Sequence, residues 1–284
     1  MMTPTNAAPL TSSTVFNPLQ HPIIFTEPER KPGDSAWAEH TPFAMFLTEL
    51  LRPRVFVELG TYAGASYCAF CQASQILNVQ MECSAVDTWE GDLHAGNYPA
   101  DVLKDLKIHH DPRYGKFSKL LQMTFDEALK QMPDDSIDLL HIDGLHTYEA
   151  VKHDYDTWLP KMSERGVIIF HDTAVVERDF GVKAFWEEVQ KDHLHFEFKH
   201  GHGLGVLGVG RDLPAPFVEF MELATQSPDL MRLFFSRYGR IMSLQGDLEI
   251  THERANKDIM LLYSSRSWQM AEKARKILRI FKKN

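Results

Sequence analysis

Val55-Phe-Val-Glu-Leu-Gly-Thr-Tyr-Ala-Gly-Ala-Ser-Tyr-Cys-Ala-Phe70 decides the fold. Val55, Phe56 and Val57 are a short apolar run, the pattern of a parallel strand buried on both faces. Gly60 and Gly64 bracket a turn, where glycine permits positive φ and close approach of the backbone to a ligand. Ala65 to Ser74 continues as a helix of small residues. In an open α/β sheet, ligands bind beyond the carboxyl ends of the strands, and this turn sits there.

The turn also restricts the ligand. A dinucleotide site requires G-x-G-x-x-G with pyrophosphate on the helix N-terminus. Here the pattern is Glu58-x-Gly60-x-x-x-Gly64, and Glu58 puts a carboxylate where phosphates would lie. A cationic ligand without phosphate fits better, and S-adenosylmethionine (SAM) carries an ammonium and a sulfonium. A second strand, Cys83-Ser-Ala-Val-Asp87, ends in an acid suited to accept hydrogen bonds from both ribose hydroxyls.

Composition bounds the remaining classes. A chain of 284 residues suits one large domain with appendages, and 44% hydrophobic content is that of a globular protein. The net charge of −9 argues against general nucleic-acid binding. No apolar run is long enough to span a bilayer, and no signal-peptide pattern opens the sequence. Three cysteines in this length suggest a reducing, cytoplasmic compartment. Cys68 and Cys71 form a C-x-x-C inside the first helix with no second pair, which reads as core packing rather than a metal or redox site.

Outward from the turn, residues 1–36 are an arm broken by Pro22, Pro28 and Pro32. Trp37 to Leu51 has a helical apolar face ended by Pro53. Beyond Asp87, an aromatic and polar insertion from Trp89 to Tyr114 reads as either a surface loop or a lid over the ligand crevice. Lys119–Met123, Ser136–Ile142 and Gly166–Phe170 read as strands, and Phe125–Met132 as a helix capped by Thr124 with Glu127 three residues on. Two further strands pair across His200-Gly-His-Gly203 as a hairpin. The expected fold is α/β: a Rossmann-like, mostly parallel sheet with one antiparallel strand over 37–210. A helical extension follows over 211–284. Its basic amphipathic end points either to membrane-surface contact or to a packing or partner helix, and a homo-oligomer stays open.

Glu58-x-Gly60-x-x-x-Gly64, Asp87, Asp143-Gly-Leu-His146 and His171-Asp172, in that order, resemble class I SAM-dependent methyltransferases. Within that class, I-D-G-x-H-x-Y and H-D-T resemble the branch of metal-assisted O-methyltransferases acting on sugars and natural products. The resemblance implies that Glu58, Gly60, Thr61, Tyr62 and Gly64 hold the methionine part of SAM, with Tyr62 standing where many relatives have glycine. It implies that Asp87 binds the ribose beside Thr88 and Trp89, that Thr124 and Phe125 flank the adenine, and that Asp143 borders the cofactor.

Two versions of the chemistry stay open. In one, Asp143, His171 and Asp172 hold Mg²⁺ or another divalent cation that acidifies the acceptor hydroxyl, although an imidazole at 171 suits Zn, Fe or Ni better. In the other, His146 near its reference pKa is the general base beside Asp143. The implied activity is O-methylation of a hydroxyl of a sugar, glycan or glycosylated natural product. A SAM-binding scaffold without chemistry and an oxidative tailoring enzyme on the same fold are the alternatives.

Overall fold

The computed structural model describes residues 16–281 apart from 32–34, 93, 95 and 178. The first 15 residues of the expected arm and the last three of the basic tail lie outside that set. Seven strands form one sheet: β1 Val55–Leu59, β2 Glu82–Asp87, β3 Ser118–Gln122, β4 Ile137–Ile142, β5 Met162–His171, β6 Leu194–Phe198 and β7 Leu204–Gly208. Their spatial order is β3-β2-β1-β4-β5-β7-β6. β7 runs antiparallel to both β5 and β6, and the pairs among β1 to β5 are parallel. This is the expected Rossmann-like, mostly parallel sheet with one antiparallel strand and a helical C-terminal region.

β1 is central because it can be buried on both faces. Phe56 points into one apolar cluster, and Val57 and Leu59 into the other. β5 alternates in the same way, with Val167 and Ile169 on one side and Ile168 and Phe170 on the other. One face is covered by helices α1 (Thr41–Leu51) and α2 (Ala65–Ile76), the other by α5 (Tyr148–Trp158) and α6 (Val182–Val189). The chain goes outward from β1 through β2 to β3, then crosses to β4 on the other side of β1. That reversal opens a crevice at the carboxyl ends of β1 and β4.

Three expectations shift. β5 begins at Met162 rather than Gly166, since Met162 pairs with Ile137 across a register irregularity. The helix after Thr124, α4, stops at Leu129, because Met132 precedes Pro133 and is disfavoured in α conformation. The insertion after β2 divides. Helix α3 (Val102–Tyr114) buries Leu106, His110 and Tyr114, whereas His94, Asn97 and Tyr98 line the crevice. His110 and Tyr114 are therefore core groups and not acceptor contacts. His110 sits 2.7 Å from the Ser118 hydroxyl.

Helix α7 (Ala215–Gln226) and the first half of helix α8 (Pro228–Ser264) pack Phe217, Phe220 and Phe235 against Phe43 and Phe46 of α1. From Thr251 onward α8 is exposed, and a short break at Ser265 leads into helix α9 (Arg266–Phe281). No helix among the described residues is long and apolar enough to cross a membrane. Cys68 and Cys71 are buried and unpaired in the core, and burial pushes both thiols up.

Candidate active site

The turn after β1 is held in a conformation few side chains tolerate. Gly60 has φ +87° and Gly64 has φ +77°, both in the region that favours glycine. Tyr62 has φ +46° in the same turn, an uncommon conformation for a residue other than glycine. The strain is offset by a set of fixed partners. Asp87 Oδ2 accepts the Thr61 and Tyr62 backbone N–H groups at 3.0 and 2.8 Å. Its Oδ1 accepts the Trp89 N–H at 2.7 Å, and the Trp89 indole N–H donates to the Tyr62 carbonyl at 2.8 Å. Asp87 is thus buried at the end of β2 and clasps the turn, and Trp89 is 7% exposed beneath it.

Glu58 is fully buried in β1 and paired with His141 of β4 at 2.8 Å. The Trp37 indole N–H, which can only donate, meets His141 Nε2 at 3.2 Å. Nε2 must therefore accept, so the His141 proton sits on Nδ1 and is donated to Glu58. Burial raises the Glu58 pKa, and the His141 hydrogen bond opposes that rise. A relay of Trp37, His141 and Glu58 thus runs beneath the turn. Sequence reasoning picked out only Glu58. The missed signal was His141 between Leu140 and Ile142 in a buried strand, since a buried polar group needs a partner.

Asp143, His146, His171 and Asp172 meet at the ends of β4 and β5. His146 Nε2 lies 2.9 Å from Asp172 and 3.8 Å from Asp143. His171 Nδ1 is 3.3 Å from each of the two carboxylates. The His171 Nε2–H donates to the Gly201 carbonyl at 2.9 Å, which directs Nδ1 at the acids. His202, from the hairpin, approaches the other Asp172 oxygen at 3.2 Å. Asp172 itself has φ +61°, a strained conformation for a residue other than glycine and one that recurs at functional sites.

The electrostatics alter one expectation. Burial works to lower the His146 pKa, but hydrogen bonds to Asp143 and Asp172 outweigh it and raise it to about 10. His171 is likewise raised by the two carboxylates against its burial. Burial favours protonated acids, yet His171 and His146 hold Asp143 and Asp172 well below the usual carboxylate range. In this arrangement His146 is an imidazolium at neutral pH, not the base near its reference pKa that the motif suggested. The physical cause is that two acids converge on one ring. Phe180 stacks on that ring at 4.7 Å with an interplanar angle of 5°.

One cavity of about 870 Å³ joins these groups, near the upper end of the range for small-molecule sites. Gly60, Thr61 and Tyr62 border it together with Asp143, His146, His171 and Asp172. Tyr62 and Tyr98, with ring centroids 4.5 Å apart, stand on its wall. Glu58, Gly64, Asp87, Thr88, Trp89, Thr124 and Phe125 are not among the residues that line it. The Thr124 hydroxyl accepts the Glu127 N–H in a capping box, and Phe125 packs against Gly144. Trp37, Phe180 and His202 also line the cavity and were not singled out from sequence. For His202 a signal existed in the two histidines of the glycine-flanked hairpin turn.

Among the described residues, ligand atoms of Asp143, His146 and Asp172 all lie within 4.8 Å of one another. Two carboxylates and an imidazole, with His171 Nδ1 facing the same acids, form a donor set that fits Mn, Zn or Fe better than Mg. The His171 Nε2–H to carbonyl bond is the kind of outer contact that orients a metal-ligating histidine.

Comparison with known proteins gives two uncharacterized relatives. A protein of Sinorhizobium fredii is 46% identical over 196 residues, covering 69% of this chain and 21% of its own length. A protein of Acanthamoeba polyphaga mimivirus is 27% identical over 130 residues, covering 41% of this chain and 50% of its own. The chain thus spans about a fifth of the first relative and half of the second. Among solved structures, the O-methyltransferase from Bacillus cereus in complex with SAH aligns at a TM-score of 0.47 and 12% identity, covering 67% of this chain and 88% of that one. Residues 57–173 supply β1, the glycine turn and all four converging acids and histidines. They match the family model for a methyltransferase domain.

Proposed function

We propose that the chain is a SAM-dependent O-methyltransferase acting on a hydroxyl of a sugar, glycan or glycosylated small molecule. The observation that carries this reading is the single cavity joining the glycine turn of β1 to the acid–histidine cluster of β4 and β5. SAM would lie across the carboxyl ends of β1 and β2, its ammonium toward Glu58 and its ribose toward Asp87. Asp143 and Asp172, which line the same cavity, would stand beside the transferred methyl group. Tyr62, Tyr98 and Phe180 offer apolar faces edged by His94 and Asn97, a mix that suits the C–H faces and hydroxyl edges of a sugar ring.

In the transfer, the acceptor oxygen forms a bond to the methyl carbon as the carbon–sulfur bond breaks. S-adenosylhomocysteine leaves, and the hydroxyl proton passes to Nε2 of His146 in its neutral form. Asp143 is ionised and faces the reacting space, so it accepts a hydrogen bond from the hydroxyl and orients it. His146 serves as base only after its own proton is lost. Asp143, Asp172 and His146, with His171, would hold a divalent cation, which when bound acidifies a coordinated hydroxyl. Positioning of two substrates in one closed space supplies much of the remaining rate.

The experiment is a screen of sugars and glycosides with methyl-labelled SAM, run with and without exhaustive chelation. Label transfer that chelation abolishes and Mn²⁺ or Zn²⁺ restores supports the metal-assisted version. Transfer unaffected by chelation leaves proton handling to Asp143 and His146. Calorimetry that shows no SAM binding overturns the proposal.

A further inference from the structure

Helix α8 carries two apolar faces. Met231, Phe235, Gly239 and Met242 look onto the domain and are buried, so closely that a β-carbon on Gly239 would lie 1.9 Å from the Glu39 carbonyl oxygen. The second face has no partner among the described residues. Leu230, Leu233 and Ile241 in its first half are 45–70% exposed, as are Leu244 and Leu248 at its centre and Ile259 and Leu262 near its end. At roughly 100° per residue these positions fall on one stripe, about 140° round from the buried face. Arg237, Thr251 and Ala255 complete the stripe in the intervening turns.

We propose that this stripe is the interface with a second copy of the chain, the two α8 helices lying antiparallel about a two-fold axis at the level of Gly246. A two-fold interface requires a surface complementary to itself, and this stripe reads alike from both ends. Antiparallel pairing sets Leu230 against Leu262 of the second copy, Leu233 against its Ile259, and Leu244 against its Leu248. The charges are arranged for the same orientation. The first half of α8 carries Arg232, Arg237 and Arg240 against Asp229 alone, whereas the second carries Asp247, Glu249, Glu253 and Asp258 against Arg254 and Lys257. Antiparallel helices place the basic half on the acidic half, and parallel ones place like on like. Arg237 lies in the stripe, opposite Ala255 of the second copy and one turn from its Asp258. Neither Arg237 nor Asp258 forms an ion pair among the described residues. One charged residue in an apolar seam fixes register.

The size suffices. A seam from Leu230 to Leu262 is about 48 Å long, and at a helix width of about 11 Å it covers ~500 Å² on each copy. The total of ~1,000 Å² reaches the area a specific interface needs. The pairing also seats the second half of α8, exposed on every side from Thr251 to Ser264, on the domain-bound half of the other copy.

Sedimentation equilibrium of the full chain should give twice the chain mass of 32.6 kDa. Leu244→Glu with Leu248→Glu should weaken the dimer about 100-fold. Both sites are exposed, so helix content by circular dichroism should not change. Arg237→Glu should weaken association, and adding Asp258→Arg should restore it. Leu230→Cys and Leu262→Cys proteins should cross-link when mixed and not when each is alone; the native cysteines are buried. A monomer at every concentration overturns the proposal. So does cross-linking of either variant with itself, which means a parallel pair. So does a monomer whose binding to anionic vesicles is lost on Leu244→Glu, which means a membrane surface.

Discussion

A β-carbon placed on Gly60 would lie 2.0 Å from the carbonyl oxygen of Asp143. The glycine turn of β1 and the acid that ends β4 are thus in direct backbone contact, and the Asp143 N–H donates to the Leu59 carbonyl at 2.9 Å. The proposed cofactor end and the proposed reaction end of the cavity are built on one another, so disturbing either should be felt at both.

Gly60→Ala should therefore be severe. The new β-carbon meets backbone that cannot move aside, at a φ that L side chains avoid. We expect a loss of about 2–4 kcal/mol in stability, by strain and overpacking. The part that still folds should bind SAM at least about tenfold more weakly. Thermal melts with and without SAM measure both effects.

Asp87→Ala should cost stability before any cofactor is added. Three backbone N–H groups lose their acceptor, and each buried orphan is worth about 1–3 kcal/mol. The expected result is a lower melting temperature for the free protein and weaker SAM binding in calorimetry. A variant that binds SAM poorly yet melts like the parent would assign Asp87 to the ribose alone.

Trp37→Phe keeps the ring and removes the donor to His141 Nε2. That nitrogen is then buried without its partner, and the Nδ1 proton donated to Glu58 is no longer enforced. We expect a loss of about 1–2 kcal/mol in stability and about 3–10-fold in SAM affinity. Nitrogen-15 spectra of the His141 ring should show mixed tautomers in place of one.

Asp154 supplies a pH dependence separate from the active-site cluster. Burial raises its pKa to about 7, with His153 opposing and Asp126 adding to the rise. Between its ordinary value and about 7 the unfolded chain is ionised there while the folded chain holds a proton. Stability attributable to this group therefore falls as pH rises through that window, by up to about 4 kcal/mol. Asp154→Asn cannot ionise. It should melt near the parent below about pH 4 and above it at about pH 8.

Much of the fold was legible in the sequence because its causes are local. Val55–Val57 could only be a buried strand, Gly60 and Gly64 could only be a turn requiring positive φ, and Thr124 with Glu127 marked a helix start. Asp143, His146, His171 and Asp172 were grouped by the strand reading together with the motif resemblance. The sequence did not state their protonation. A histidine three residues after an aspartate reads as a base near neutrality. Only tertiary structure brings Asp172 from another strand to 2.9 Å and turns His146 into a cation. The same holds for Asp87, whose oxygens are taken up by backbone 25 and 26 residues away, and for the Trp37–His141–Glu58 relay, which joins three separate elements. Sequence determines which groups exist and how each segment curls. Distances between groups far apart in the chain arise only when the sheet closes, and those distances set charge, tautomer and strain.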